Sequence, residues 1–286
     1  MDSMGGLFAG ISCAVLLFAT GDGAPTPQAV TPVMAVPLTA AEHPWGNFLP
    51  NSWCIVQTVT VSNIDGRTVQ SSQTVRTTLK SIDETGITLQ REETLNLGGR
   101  PVEKPPQIVK YDFFQEPILE NVEIRHGNPV KLVIDRRVVP CMVRIYEQQT
   151  PGGRLTTTVW YTPHVYPHVL RVERILRTFP EGENVSGGAG QIIRQSVILV
   201  QETSALRGSR GNRRNRTYAL QTVEQTGSIT RITDTRASWD VPGGLLESTT
   251  RELDAENREV RRSVSRMTNY FSEESPGATR CTRFAR

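Results

Sequence analysis

The histidines, carboxylates, arginines and cysteines set what chemistry this 286-residue chain can do. His164 and His168 stand four apart, the spacing that places two metal ligands on one helix face. Pro163 and Pro167 exclude a helix there, and no third ligand is near in sequence, so no metal is expected. Ser and Thr are abundant, yet none lies in a Gly-x-Ser-x-Gly elbow. Glu92-Glu93 and Glu273-Glu274 are adjacent pairs. Neighbours on a strand point to opposite faces, so neither pair makes an acid and a base. No catalytic residue and no cofactor are assigned, and the chain is expected not to be an enzyme.

Two further groups carry charge or sulfur. Arg207, Arg210, Arg213, Arg214 and Arg216 crowd into a Gly- and Asn-containing stretch. They form a candidate anion-binding loop, against the plainer reading of a solvated connection. The formal net charge is only +3, which argues against a nucleic-acid partner. Beyond Cys13, the cysteines are Cys54, Cys141 and Cys281, an odd number that cannot close a disulfide framework. Cys54 and Cys141 both lie in apolar, strand-like runs. One bridge between them and two small buried hydrophobes are both open readings.

These groups must be positioned by whatever folds after the N-terminus. Residues 5–20 are uncharged and apolar, the length of a signal-peptide core and short for a membrane span. Ala19-Thr20-Gly21 supplies small residues for cleavage, so residues 1–21 read as a signal peptide. Met1 to Gly6 contain no Lys or Arg, which keeps an uncleaved N-terminal anchor as the alternative. Export to a periplasmic or extracellular site follows. Residues 22–44, rich in Pro, Ala and Thr, read as a disordered tether, 45–272 as a β-rich domain and 273–286 as a flexible tail.

Strand signals fill the domain. Asn63-Ile-Asp-Gly66, Asp83-Glu-Thr-Gly86, Gly98-Gly99 and His126-Gly-Asn128 punctuate runs of Thr, Val, Ile and Leu as hairpin turns do. Leu246 to Arg262 reads as strand, turn at Asp254 to Asn257, and strand. In Thr58 to Val61 and Leu170 to Glu173, apolar residues alternate with polar ones, which assigns the apolar side to the core. One passage recurs: a strand, a Gly-bearing turn, a Thr-rich strand ending in Trp, then Pro and Leu, at about 138–178 and again at about 216–254. Trp160 and Trp239 would then be equivalent core anchors. The fold class is all-β: an antiparallel β-meander forming a strongly curved sheet or an incomplete barrel, with an internal hairpin repeat.

The string Thr-Thr-Thr-Val-Trp160 through Pro167 to Leu170-Arg-Val-Glu173 resembles the strand, turn and Leu-Arg-x-Glu pattern of periplasmic lipoprotein-carrier-like proteins. With Val139-Pro-Cys141 it is also similar to secreted, uncharacterised β-rich planctomycete-type proteins. The carrier resemblance implies an unclosed half-barrel whose concave face holds acyl chains, with Trp160, Leu170, Trp239 and Leu245 as the candidate ligand-binding residues. Helices that would plug such a half-barrel are missing from the sequence pattern. Two functions follow: a binding module for a lipid or other envelope amphiphile, or a structural or protein-interaction module with a filled core.

Overall fold

The computed structural model describes residues 36–64, 67–118, 120–150, 153–178, 191–203, 217–273 and 279–283. It contains fourteen strands and a single turn of 3-10 helix, Ala40–Glu42. The strands are β1 (Trp53–Ile64), β2 (Arg67–Ile82), β3 (Ile87–Leu97), β4 (Arg100–Tyr111), β5 (Val122–Ile134), β6 (Arg137–Thr150) and β7 (Gly153–Tyr161). They continue with β8 (Val169–Thr178), β9 (Gln191–Thr203), β10 (Thr217–Thr226), β11 (Ile229–Ser238), β12 (Leu245–Leu253), β13 (Glu259–Glu273) and β14 (Thr279–Arg283). The expected all-β antiparallel meander is what the chain forms, and the sheet does not close into a barrel.

The path through the sheet is a meander broken at one place. From β5 to β13 each strand pairs with the next, and from β1 to β4 likewise. The two runs join where β1 lies antiparallel to β13, from Trp53 opposite Phe271 to Ser62 opposite Arg261. Consequently β4 and β5, neighbours in sequence, are the two free edges. Pro101, Pro105 and Pro106 remove N–H donors from β4, and Lys104 adds a charge, devices that keep an edge from templating another strand. At the other end the sheet curls far enough to bring β5 against β9. β14 pairs with Asn269 to Glu273, beyond the stretch of β13 that β12 covers.

What fills the concave face comes from outside the strands. Leu38, Trp45 and Phe48 of the N-terminal segment, with Phe113 and Phe114 of the β4–β5 connection, enter two of three core clusters. The first cluster joins Trp45 and Phe48 to Cys54, Leu79, Ile87, Leu89 and Met267. In the second, Leu38 and Phe114 meet Tyr146, Val159, Tyr161 and Val172. A third, inside the β5–β9 curl, holds Ile134, Val139, Cys141, Leu170 and Val197. Burying side chains of this size is worth about 1.5–3 kcal/mol each, enough to dock a Pro-rich segment that propensity alone leaves unstructured. Thr39 caps the 3-10 turn, its hydroxyl accepting from Ala41 N, while Glu42 accepts from Thr39 N at 2.8 Å. Gly243 lies under Trp45 at φ +77°, and a Cβ there would meet the indole at 3.1 Å.

Several expectations are corrected at this level. Residues 36–44 belong to the fold and not to a disordered tether. The 273–286 tail contains β14. His126-Gly-Asn128 is no turn but a register shift inside β5, where Gly127 lies against the Val143 side chain. From Thr58 to Val61 the alternation is inverted, since Thr60 is 8% exposed and Val61 37%. The cause is cross-strand hydrogen bonding: the hydroxyls of Thr58 and Ser265 lie 2.8 Å apart, and those of Thr60 and Ser263 2.9 Å. Residues 1–35, including the signal-peptide assignment, lie outside the described residues.

His43 anchors the docked segment and gives it a pH dependence. It is 4% exposed, its Nδ1 accepts from Trp45 N at 3.2 Å, and burial pushes its pKa down to about 4. The unfolded chain therefore binds the His43 proton first. Stability should fall as pH drops from about 6.5 toward 4. Urea unfolding across that range should show a steeper acid loss for wild type than for His43→Asn.

Candidate functional site

The connection from β4 to β5 opens with an aspartate that organises it. Asp112 Oδ1 accepts from Phe114 N at 2.9 Å and from Glu116 N at 3.1 Å, and Asp112 N donates to the Glu116 carbonyl at 2.9 Å. Gln115 takes a positive φ of 66° between them. A short polar side chain able to satisfy backbone donors two and four residues on is what this tight loop requires. The loop drives Phe114 inward, edge-on to Tyr161 with centroids 4.7 Å apart. Arg144 lies over the Phe114 ring at 4.5 Å and over the Tyr146 ring at 5.3 Å.

Two buried carboxyls hang on this loop. Tyr146 donates its hydroxyl to Asp112 Oδ2, and Arg174 donates to Glu116 at 2.7 Å. Both acids are under 9% exposed, and burial raises the pKa of each despite these partners. Desolvation, with the neighbouring Asp112 charge, also raises that of Tyr146. Each carboxyl is occupied with structure: Asp112 holds the loop backbone, and Glu116 pins the loop to β8. Tyr161 Oη is buried without a hydrogen-bond partner among the described residues.

Open space lies on both sides of this loop. On the side of the free edges is a cleft of about 980 Å³. Leu38, Phe113, Phe114, Ile118, Val122 and Ile124 give it apolar walls, and Arg144, Tyr146 and Asp112 supply polar groups. Thr39, Asp83 and Thr85 also contribute to its lining. On the other side, a smaller cavity of about 310 Å³ is bounded by the inward faces of β8 to β12, the Glu42–Pro44 segment and Phe114. Both volumes fall within the range that small-molecule sites occupy.

The residues expected to bind ligand are distributed unevenly. Leu170 and Leu245 line the smaller cavity. Trp160 and Trp239 do not. Trp160 is half-buried against the third cluster, with the Arg171 guanidinium 4.6 Å from its ring. Trp239 packs with Tyr166, at 4.5 Å between centroids, and His168, at 5.7 Å. Nor are the two tryptophans equivalent. The β6–β8 and β10–β12 units share a hydrogen-bonded frame: Gly153, Thr162 and His168 occupy the places of Ile229, Ser238 and Gly244. In that frame Trp160 matches Arg236, because Trp239 comes after its strand has ended.

Cys54 and Cys141 are free thiols in separate clusters, one in the first and one in the third, so the bridge between them is not formed. Burial raises the pKa of both, that of Cys54 to about 12. Glu92 and Glu93 pair separately, with Arg76 at 3.9 Å and Lys104 at 2.6 Å. His168 meets the Thr162 carbonyl through Nδ1. No group of three metal-ligating side chains occurs among the described residues. Arg207, Arg210, Arg213, Arg214 and Arg216 lie outside them.

The sequence reading missed Asp112, Phe114, Glu116, Arg144, Tyr146 and Arg174 altogether. One signal was present. Asp112-Phe-Phe-Gln-Glu-Pro117 breaks strand alternation with two adjacent aromatics, starts with a turn-forming Asp and ends at Pro.

Fold and site together define an open β-sheet with a cleft beside the connection that joins its two edge strands. No family model matches the chain, and no curated protein does. Among solved structures, a Bacteroides fragilis protein assigned as exported, with a YmcC-like fold, aligns with 77% of this chain and 98% of its own. The identity is 9% and the TM-score 0.26. Likeness to lipoprotein carriers or to planctomycete-type proteins is not shown by these comparisons. No helix among the described residues is long and apolar enough to cross a membrane.

The Asp112–Tyr146 contact yields a test. Tyr146→Phe removes the donor from a buried acceptor and should cost about 1–3 kcal/mol in denaturant unfolding. A carboxyl whose pKa is higher in the fold binds its proton more tightly there. Its contribution therefore grows as pH falls through the folded pKa, and wild type should gain on Asp112→Asn between neutral pH and mild acid.

Proposed function

We propose that this chain is an exported, non-enzymatic binding module of the cell envelope, which holds the apolar part of a lipid or similar amphiphile. The observation that carries the proposal is the cleft of about 980 Å³ between the β4–β5 connection, the start of β5 and the Arg144–Tyr146 stretch of β6. Its walls are the side chains of Leu38, Phe113, Phe114, Ile118, Val122 and Ile124. Ile118 and Ile124 are 42% and 46% exposed, an apolar surface that a bound chain would cover. The position supports binding as well. The β5 edge beside the cleft has no partner strand on its outer side, which leaves room for a long chain to enter. The absence of chemistry is part of the proposal, since Asp112 and Glu116 are committed to holding the loop.

This moves the site from where the sequence placed it. Leu170 and Leu245 line only the smaller cavity, and the space near Trp45 and Phe48 is filled by those side chains. That filled region is the observation favouring a structural or protein-interaction module.

Native mass spectrometry after gentle purification should show a co-purified amphiphile, and the stripped protein should take up a pyrene-labelled fatty acid. Ile118→Trp with Ile124→Trp should cut uptake about tenfold or more by filling the cleft, with the far-UV spectrum unchanged. No co-purified ligand and no uptake by the well-folded protein would favour the structural reading.

A further inference from the structure

The tip of the β5–β6 hairpin is apolar on both of its faces. On the inward face Ile134, Val139 and Cys141 enter the third cluster, with Leu132 packed against it. On the outward face Val133 and Val138 are directly opposed across the two strands, 71% and 62% exposed. Single exposed valines are ordinary, but a cross-strand pair beside a hairpin turn is a patch that water does not favour.

Charge surrounds this patch with one predominant sign. Lys131 shares a face with Val133, Arg136 stands in the turn, and Arg137, opposite Ile134, flanks the patch from the other face; all three are exposed. Asp135 is the one acid between Val130 and Pro140. None of the three cations is in an ion pair with a described residue, whereas many arginines elsewhere are, as Arg231 is with Glu224 and Glu252. The tip is also stiff. Ile134 pairs with Arg137 across a two-residue turn in which Asp135 and Arg136 both have positive φ, 47° and 63°. That is the geometry of the tightest hairpin turns. The buried inward face anchors it from behind.

We infer that this hairpin tip docks the protein onto an anionic lipid surface. Val133 and Val138 enter the interfacial region, and Lys131, Arg136 and Arg137 meet headgroup phosphates. Exposed apolar side chains ringed by cations are the combination that such a surface attracts, through burial of the first and counter-charge for the second. A soluble acidic protein partner would satisfy the cations but would also need an apolar surface to cover Val133 and Val138. A second copy of this chain would bring like charges together. The docking is independent of what the cleft holds.

The test reads the tip itself, in the full chain. Val133→Trp is mixed with vesicles of phosphatidylglycerol and phosphatidylcholine in equal parts, and with phosphatidylcholine alone. Relative to wild type, the added tryptophan should shift its emission to the blue and be quenched by brominated acyl chains with the anionic vesicles only. Adding Arg136→Ser and Arg137→Ser should weaken that partition about tenfold, and raised salt should weaken it too. An unshifted tip with both vesicle types overturns the inference, even if the chain sediments with lipid through some other segment. Equal shifts with neutral vesicles, or after loss of the arginines, overturn the charge-guided part. A shift that grows with protein concentration without vesicles makes a second copy the occupant and overturns it as well.

Discussion

The antiparallel ladder between β1 and β13 is the pairing on which the rest of the architecture rests. It joins residues about two hundred positions apart, so closing that loop costs chain entropy that only a long ladder and the core behind it repay. Once it forms, both ends of the domain meet inside the sheet. The free edges then fall to β4 and β5, consecutive strands that a short hairpin would ordinarily pair. The connection between them turns inward at Asp112, and its two phenylalanines become core. The opening in the sheet and the loop beside it are thus one consequence of where the first strand pairs.

An open curved sheet must cover its concave face, and here segments without regular structure do so. Trp45 and Phe48 cover the β1–β3 side, while Leu38, Phe113 and Phe114 reach the β6–β8 side, with Phe113 packed against both of the first two clusters. Loops brought into a core carry backbone polar groups that need partners. Asp112 answers that need at the price of burying its own carboxylate, which Tyr146 then shares. Glu116 and Arg174 repeat the pattern at the far end of the loop. Buried pairs of this kind contribute little net stability but fix one geometry, because breaking either pair strands a charge. The space left around this loop, on the edge side above all, is what remains when five large side chains fill a trough that a closed barrel would have removed.

Local chemistry was legible in the sequence and long-range pairing was not. Gly98-Gly99 and Asp83 to Gly86 marked turns because positive φ and side-chain capping are written in residue type. Leu246 to Arg262 was legible as two strands for the same reason. Thr60 and Val61 were read the wrong way round, since hydroxyls satisfied across strands can face a core, and no single strand reveals its partner. The tryptophans looked equivalent because each follows a Thr-containing strand and precedes a Pro with Leu three residues on, although Trp-to-Pro is seven residues in one passage and three in the other. Register is set by hydrogen bonds across the hairpins, and a shift of a few residues moved Trp239 out of its strand. Asp112 and Tyr146, 34 residues apart, become neighbours only through the turn that the sheet imposes.

Hydrogen exchange resolved to single amides tests the central claim, that the sheet is continuous through β1 and β13 and open between β4 and β5. The paired amides of Val56 to Thr60 and of Arg262 to Met267 should be among the slowest to exchange. Alternate amides along the outer sides of β4 and β5, such as those near Ile108 and Ile124, should exchange orders of magnitude faster, with protection well below that of global unfolding. Equal protection of both edge strands, matching β1 and β13, would mean that the edges pair and the sheet closes. That result would contradict the open edges, the inward loop and the cleft together.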